Sequence, residues 1–246
     1  MAGHSKWHNI RIRKGKQDAL RGKLFTKLAR EITIASRDGG GIPESNPRLR
    51  LAVQKAKEAS MPADNIKRAI QKGTGEIADV QYEEVLYEGY GPGGVAIIVQ
   101  CMTDNKNRTV SEIRHLLSKY GGNMADAGSV SWQFQRQGTI LIPQNGATEE
   151  QVIEIALEAG AEDVKAEDGA YVVITGPDAF YSVRQSIEDA GVSMESAELG
   201  LAPTNLVQVS GDTAEKLLRL LDMLEEHDDV QSVSANFDMP DEALSA

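Results

Sequence analysis

The sequence holds a single cysteine, Cys101, with two tryptophans and four phenylalanines among 246 residues. One thiol cannot close an internal disulfide or build a cysteine-based metal cluster, so the chain reads as a protein of a reducing compartment. No apolar run approaches the roughly 18 to 20 residues that span a bilayer, and no apolar segment follows the basic start as it would in a secretory leader. The expectation is a soluble, cytoplasmic protein. Catalytic signatures are also missing: there is no GxSxG elbow, Walker loop, dinucleotide fingerprint, HExxH pair or cysteine/histidine zinc spacing. His4, His8, His115 and His227 are scattered and form no evident ligand set. Paired acids such as Glu83-Glu84, Glu225-Glu226 and Asp228-Asp229 belong to solvated faces in a chain this acidic. No enzyme, no cofactor and no metal is expected.

Acid is scarce where base is dense. The formal net charge is -11, yet the first thirty residues carry nine Lys or Arg and one acid, Asp18. Residues 1–72 hold 17 basic and 6 acidic residues, against 9 basic and 31 acidic in residues 73–246. A basic module is drawn to phosphates and an acidic one is repelled, so the second piece orients the first on a nucleic acid. Lys6, Arg11, Arg13, Lys14, Lys16, Arg21, Lys23 and Lys27 are the candidate phosphate contacts, and Trp7 among them is a candidate for stacking on a base. A solvated arm and a transit peptide are the alternatives. Both fit less well, because acids do not intersperse the bases and the stretch runs straight into a patterned helical region.

At 41% apolar residues the chain can bury a core. Ala19, Leu24, Leu28, Ile32 and Ala35 recur at helical spacing until Gly39, Gly40 and Gly41 end the helix. Pro47 opens a second helix through RLRLAVQKAKEAS, and Pro62 a third through ADNIKRAIQKG. From about residue 80 the period changes. GVAIIVQCM (94–102) reads as a buried strand, NRTVSEIRHLLSKYG as an amphipathic helix and GSVSWQFQ (128–135) as an alternating strand. GTILIP, ATEEQVIEIALEAG, EDVKAE, AYVVITG, PDAFYSVRQSIEDAG and MESAELGLAP then give strand-helix-strand twice, the ferredoxin-like order. The last stretch, from TNLVQVSG to SANFD, is strand-helix-strand and cannot close a sheet alone. Paired with residues 94–135 it completes a second domain interrupted by the first; one continuous mixed sheet is the alternative.

Two motifs invite functional readings that their context disfavours. YEGYGPGG (87–94) lacks the Lys-Ser/Thr of a phosphate loop and leads into a strand, so it reads as a tight glycine-rich approach. DNKNR (104–108) lacks the spaced acids of a calcium loop and reads as a turn and N-cap, through Asn107 or Asp104, with Lys106 and Arg108 adding a small basic spot.

Taken together, AGHSKW, Arg13-Lys14, FTKLAREI, GGGIPESNPRLR, SMPADNIKRAIQKGTG, YEGYGPGGVAIIV, DNKNRT, GGNMADAGSV and ALEAGAED closely resemble the YebC/PmpR family, which includes mitochondrial translational activators of cytochrome oxidase. The resemblance runs from residue 2 to about residue 236, with Ile12 departing from the His that many relatives carry there. It implies a non-enzymatic α+β multidomain protein: an N-terminal three-helix domain followed by two ferredoxin-like α+β domains, one inserted into the other. The boundaries expected are 1–78, then 79–136 with 203–240, and 137–202 as the insertion. Family members have been described both as DNA-binding transcriptional regulators and as ribosome-associated translation factors that help elongation through consecutive prolines. The long GGGIPESNP connection argues against a helix-turn-helix, and phosphate contact without base readout suits structured RNA. The expected partner is therefore ribosomal RNA, with DNA as the alternative. Ribosomal proteins would meet the acidic domains, no membrane is involved, and the chain acts as a monomer.

Overall fold

The computed structural model describes residues 21–78, 81–167 and 169–240. Its first elements are three helices: α1 (Arg21–Gly39), α2 (Pro47–Glu58) and α3 (Ala63–Gly73). Their apolar stripes meet in one core that includes Ile32, Leu49, Val53, Met61 and Ile66. The GGGIPESNP connection is fastened by Asn46. Its Oδ1 accepts from Leu49 N at 3.1 Å to cap α2, while its Nδ2 donates to Ala35 O and Gly40 O at 2.7 and 2.8 Å. One buried amide thus satisfies the end of one helix and the start of the next. Gly73 closes the bundle, because a Cβ there would lie 2.2 Å from the carbonyl oxygen of Thr33.

The next elements are β1 (Glu83–Tyr90), β2 (Ala96–Thr103), α4 (Lys106–Lys119) and β3 (Asn123–Ala125). Near the C-terminus follow β8 (Val207–Gln208), α7 (Gly211–Glu226), β9 (Val230–Ala235), which completes that sheet, and β10 (Phe237–Asp238). Strands run β3-β1-β2-β9, all antiparallel, and β8 pairs with β10 in parallel. Ile97, Val99 and Cys101 alternate onto the face covered by α4 and α7, where they meet Ile113, Leu117 and Leu217. The glycine-rich stretch forms the β1–β2 turn, with Gly93 at φ 77° in the left-handed region.

Between the two halves lie β4 (Phe134–Pro143), α5 (Glu149–Glu158), β5 (Asp163–Glu167), β6 (Ala170–Thr175), α6 (Phe180–Asp189) and β7 (Ser196–Pro203). Their sheet runs β5-β6-β4-β7, antiparallel throughout, which is the ferredoxin-like arrangement. Thr148 and Gln151 form a reciprocal capping box at the start of α5. The chain is an α+β multidomain protein with separate sheets. It divides into two compact units: residues 132–205, and the described residues before 132 and after 205. The three-helix bundle groups with the discontinuous sheet in the second unit.

The discontinuous sheet departs from expectation at three places. It opens with a hairpin, because the half-exposed EEVLYEGY is a strand. The expected strand over 128–135 does not form: residues 131–133 make a single 3-10 turn and β4 begins at Phe134. Glu88 is the reason, since its buried carboxylate accepts from Gly128 N and Val130 N at 2.7 Å and from Ser131 N at 3.0 Å. Amides spent on a side chain cannot join a ladder, so the alternation of Val130, Trp132 and Phe134 only mimics a strand. Lastly, TNLVQVSG contributes two strand residues, Val207 and Gln208.

Candidate nucleic-acid interface

Of the nine residues read as nucleic-acid contacts, Lys6, Trp7, Arg11, Arg13, Lys14 and Lys16 lie outside the described residues, and for Arg21 only the backbone is described, at the start of α1. Lys23 and Lys27 are placed, and they face protein. With Arg30 they form an i, i+4, i+7 row that meets the C-terminal end of α7. Lys23 Nζ donates to Glu226 O at 3.0 Å and Lys27 Nζ to Glu225 O at 2.6 Å. Arg30 Nη1 donates to Asp228 O at 2.5 Å and to Met102 O at 3.3 Å. Helix α7 has no basic residue in its last turn, and that turn ends in Glu225 and Glu226. Cations from α1 therefore supply the carbonyl partners and the dipole compensation that α7 lacks, each worth about 0.3 to 1 kcal/mol.

Beside that contact sits a buried carboxylate. Asp229 is 2% exposed, and its oxygens accept from Arg30 Nη1 (3.0 Å), Arg108 Nη2 (2.8 Å), Thr109 Oγ1 (2.7 Å) and Thr103 Oγ1 (3.2 Å). Burial alone would raise its pKa. The Arg108 and Thr109 hydrogen bonds and the charges of Arg30 and Arg108 outweigh burial and hold Asp229 below the ordinary carboxylate value. The DNKNR motif is what delivers Arg108 and Thr109. Its cap is Asn105, whose side chain accepts from Arg108 N at 3.1 Å, in place of the expected Asn107 or Asp104. The basic spot expected from Lys106 and Arg108 is neutralised, because Lys106 pairs with Glu83, and Arg108 with Asp104 and Asp229.

Glu112, His227 and Asp229 bring ligand atoms within 4.8 Å of one another, a grouping that the sequence spacing conceals. Its chemistry is that of an ion-pair network. Arg108 and Arg30 already occupy Asp229, and His227 accepts from Asp229 N at Nδ1 (3.1 Å) while its Nε2 lies 2.8 Å from Glu112 Oε2. A divalent cation there would meet two guanidinium charges.

Other cations of the bundle are turned to solvent. Lys57 of α2 and Lys67 and Arg68 of α3 are exposed, and none has an ion-pair partner among the described residues. By contrast, Arg48 is held by Glu31, Asp38 and Glu84, and Arg50 by the carbonyls of Pro43 and Glu44. Exposed cations without an ion-pair partner among the described residues thus include Lys57, Lys67 and Arg68 of the bundle, and Arg114, Arg136, Lys216 and Arg219 of the α+β part are exposed as well. Sequence reasoning favoured the N-terminal residues through their density of charge and passed over Lys57, Lys67 and Arg68, which no local pattern singles out, since Asp64 stands at i−3 from Lys67 and at i−4 from Arg68.

Residues 5–76 match the family model described as the TACO1/YebC protein N-terminal domain, and residues 82–237 match that of the TACO1/YebC second and third domain. The chain is 57% identical to a probable transcriptional regulatory protein of Carboxydothermus hydrogenoformans, over 98% of this chain and 100% of the relative. It is 55% identical to one of Persephonella marina, over 99% and 98%. A crystal structure of a conserved hypothetical protein from Aquifex aeolicus is similar at TM-score 0.83 and 50% identity, covering 91% of this chain and 93% of that one. No described helix is long and apolar enough to cross a membrane.

Proposed function

This chain belongs to the TACO1/YebC family, and from that premise we propose that it is a non-enzymatic, nucleic-acid-associated regulator of gene expression that binds structured ribosomal RNA through its basic helical module. The observation that carries this reading is the exposure of Lys57, Lys67 and Arg68, without acid partners among the described residues, on the small helical bundle of a chain of net charge -11. Such a surface attracts phosphates from any sequence, and structured RNA is bound largely through shape and phosphate positions. Lys6, Trp7, Arg11, Arg13, Lys14, Lys16 and Arg21 extend the surface in this proposal, working as a monomer in the cytoplasm. The acidic α+β domains act as a spacer that keeps other faces away from RNA and meets basic ribosomal proteins.

A second reading, DNA-binding transcriptional control, is supported by the names of the relatives and by the short connection, residues 59–62, between α2 and α3. That length suits a helix-turn-helix. Against it, the first turn of α3 presents Ala63 and Asp64, and an acid at the base-reading end of a recognition helix meets DNA phosphates unfavourably.

Co-sedimentation with ribosomes at low and moderate salt tests the proposal, using wild type and an Arg11→Ala, Arg13→Ala, Lys14→Ala, Lys16→Ala variant. Wild type travels with ribosomes and the variant is lost from the pellet. If wild type stays in the supernatant yet retains a defined DNA duplex against excess competitor, the transcriptional reading replaces it.

A further inference from the structure

Between α1 and α3 runs a groove of about 380 Å³. Phe25, Ala29, Met61 and Ala69 form its apolar wall, and Arg30, Arg68, Lys72, Asn65 and Tyr82 its polar part. Three cations and no carboxylate line it, in a chain where acids outnumber bases. Tyr82 is fixed at both its ring and its backbone: the Arg30 guanidinium lies 5.1 Å from the ring centroid, and Arg37 Nη1 donates to Tyr82 O at 2.6 Å. Arg30 Nε is buried without a hydrogen-bond partner, although Nη1 of the same side chain is fully engaged. A donor left unmatched in this way is an uncommon cost in a folded protein.

We propose that this groove is a nucleotide subsite: it takes one unstacked nucleoside phosphate unit, the phosphate on Arg68 and Lys72 and the base against the Phe25 and Tyr82 rings. The pairing of features argues for a nucleotide over a bare anion. Cations alone would suit inorganic phosphate, whereas an apolar wall with two aromatic rings beside them matches the mixed surface of a base joined to its phosphate. Arg30, tied through Asp229 to the α+β core, holds the positive floor of the groove in place and orients Tyr82. The inference rests on the RNA-binding reading above and deepens it, since it assigns a splayed nucleotide of a single-stranded segment to a defined place on the bundle.

The test is fluorescence anisotropy of the full chain with a labelled eight-nucleotide single-stranded RNA, over a salt series, with unlabelled AMP and inorganic phosphate as competitors. Arg68→Gln with Lys72→Gln lowers affinity about tenfold and flattens the log-log salt slope by about 1.4, near 0.7 for each phosphate no longer neutralised. Tyr82→Leu weakens binding by about five- to a hundredfold by removing the stacking platform and leaves the slope unchanged. Lys57→Gln, outside the groove, keeps the Tyr82-dependent component, and circular dichroism of each variant checks that it is folded. Displacement by AMP that disappears in Tyr82→Leu marks a site open to free nucleotides, while displacement by oligonucleotide alone marks a chain-embedded one; both support the proposal. Folded groove variants that bind the oligonucleotide as wild type does overturn it and leave the RNA-binding reading standing. Equal displacement by phosphate and AMP overturns the nucleotide assignment, and a wild type that binds no RNA overturns both.

Discussion

Replacing Asp229 by Asn tests whether the buried carboxylate fastens the helical bundle to the discontinuous sheet. The substitution preserves shape and removes the charge that Arg30 and Arg108 face at 3.0 and 2.8 Å. Breaking a buried pair costs about 3 to 5 kcal/mol, because the remaining charge stays desolvated. The Arg30 side chain is 13% exposed and suffers this in full, whereas Arg108, at 43%, turns to water. The low end applies, about 3 kcal/mol, or roughly a 150-fold faster opening of the contacts concerned. Hydrogen exchange read by mass spectrometry over 21–39 and 100–110 reports that opening locally, which suits a chain of more than one cooperative unit. Acid supplies an independent check. Burial pushes the Asp229 pKa up, but its hydrogen bonds from Arg108 and Thr109 and the Arg30 charge hold it below 3.8. Its contribution is thus fully present above the unfolded value, near 3.8, and is lost as pH falls through the lower folded value. Wild type loses stability on acidification below about pH 4 by a component that Asp229→Asn lacks. Exchange in α1 within twofold of wild type, or matching acid profiles for the two proteins, refutes the fastening role.

Gly73→Ala forces a Cβ to within 2.2 Å of the Thr33 carbonyl oxygen, so the bundle loses about 1 to 3 kcal/mol, seen as a lower urea midpoint. Glu88→Gln replaces a carboxylate that burial pushes up in pKa but that the backbone N–H groups of Gly128, Val130 and Ser131 hold below its ordinary value. One of those amides is left without an acceptor, costing about 1 to 3 kcal/mol, and limited proteolysis within 126–131 quickens. Cys101 is 2% exposed and its thiol is pushed up to about 12, chiefly by burial and then by the Asp229 charge. It therefore reacts with a thiol reagent at pH 8 only after denaturant is added; rapid labelling of the native chain counts against its placement.

Periodicity in the sequence identifies the helical bundle and the inserted unit because their local preferences agree with their tertiary roles. Asn46-Pro47 caps one helix, Thr148 and Gln151 box another, and the apolar residues of AYVVITG and GTILIP lie in central strands. The discontinuous sheet is less legible, for two identifiable reasons. Strand β1 is read against its composition, since EEVLYEGY carries three acids and gains its order from pairing with β2 along its whole length. Residues 128–133 alternate like a strand, and only a carboxylate forty residues earlier in the chain, Glu88, diverts their amides. The first is decided by the partner strand across a hairpin and the second by a distant residue, so the composition of neither segment reveals its state. The same holds for Asp229, which looks like one acid in an acidic run until folding brings Arg30, Thr103, Arg108 and Thr109 around it.

Charge density locates the basic module, but it does not say which cations remain available. Lys23 and Lys27 share a helix face with Arg30, and that face is turned to the end of α7. If they kept those partners on an RNA-bound protein, they would release no counterions on binding and would add nothing to the salt slope. Six phosphate contacts drawn from other cations give a slope of about -5 on duplex DNA and a shallower one, near -4, on single strands. Lys23→Met with Lys27→Met therefore leaves the slope for single-stranded RNA unchanged while lowering stability by about 1 to 2 kcal/mol, through the two carbonyl contacts and the dipole at the end of α7. A slope shallower by about 1.4 in this variant shows instead that both lysines leave α7 to reach phosphates. In that event RNA competes with the α7 terminus for the same two cations, and binding loosens the contact between the bundle and the sheet.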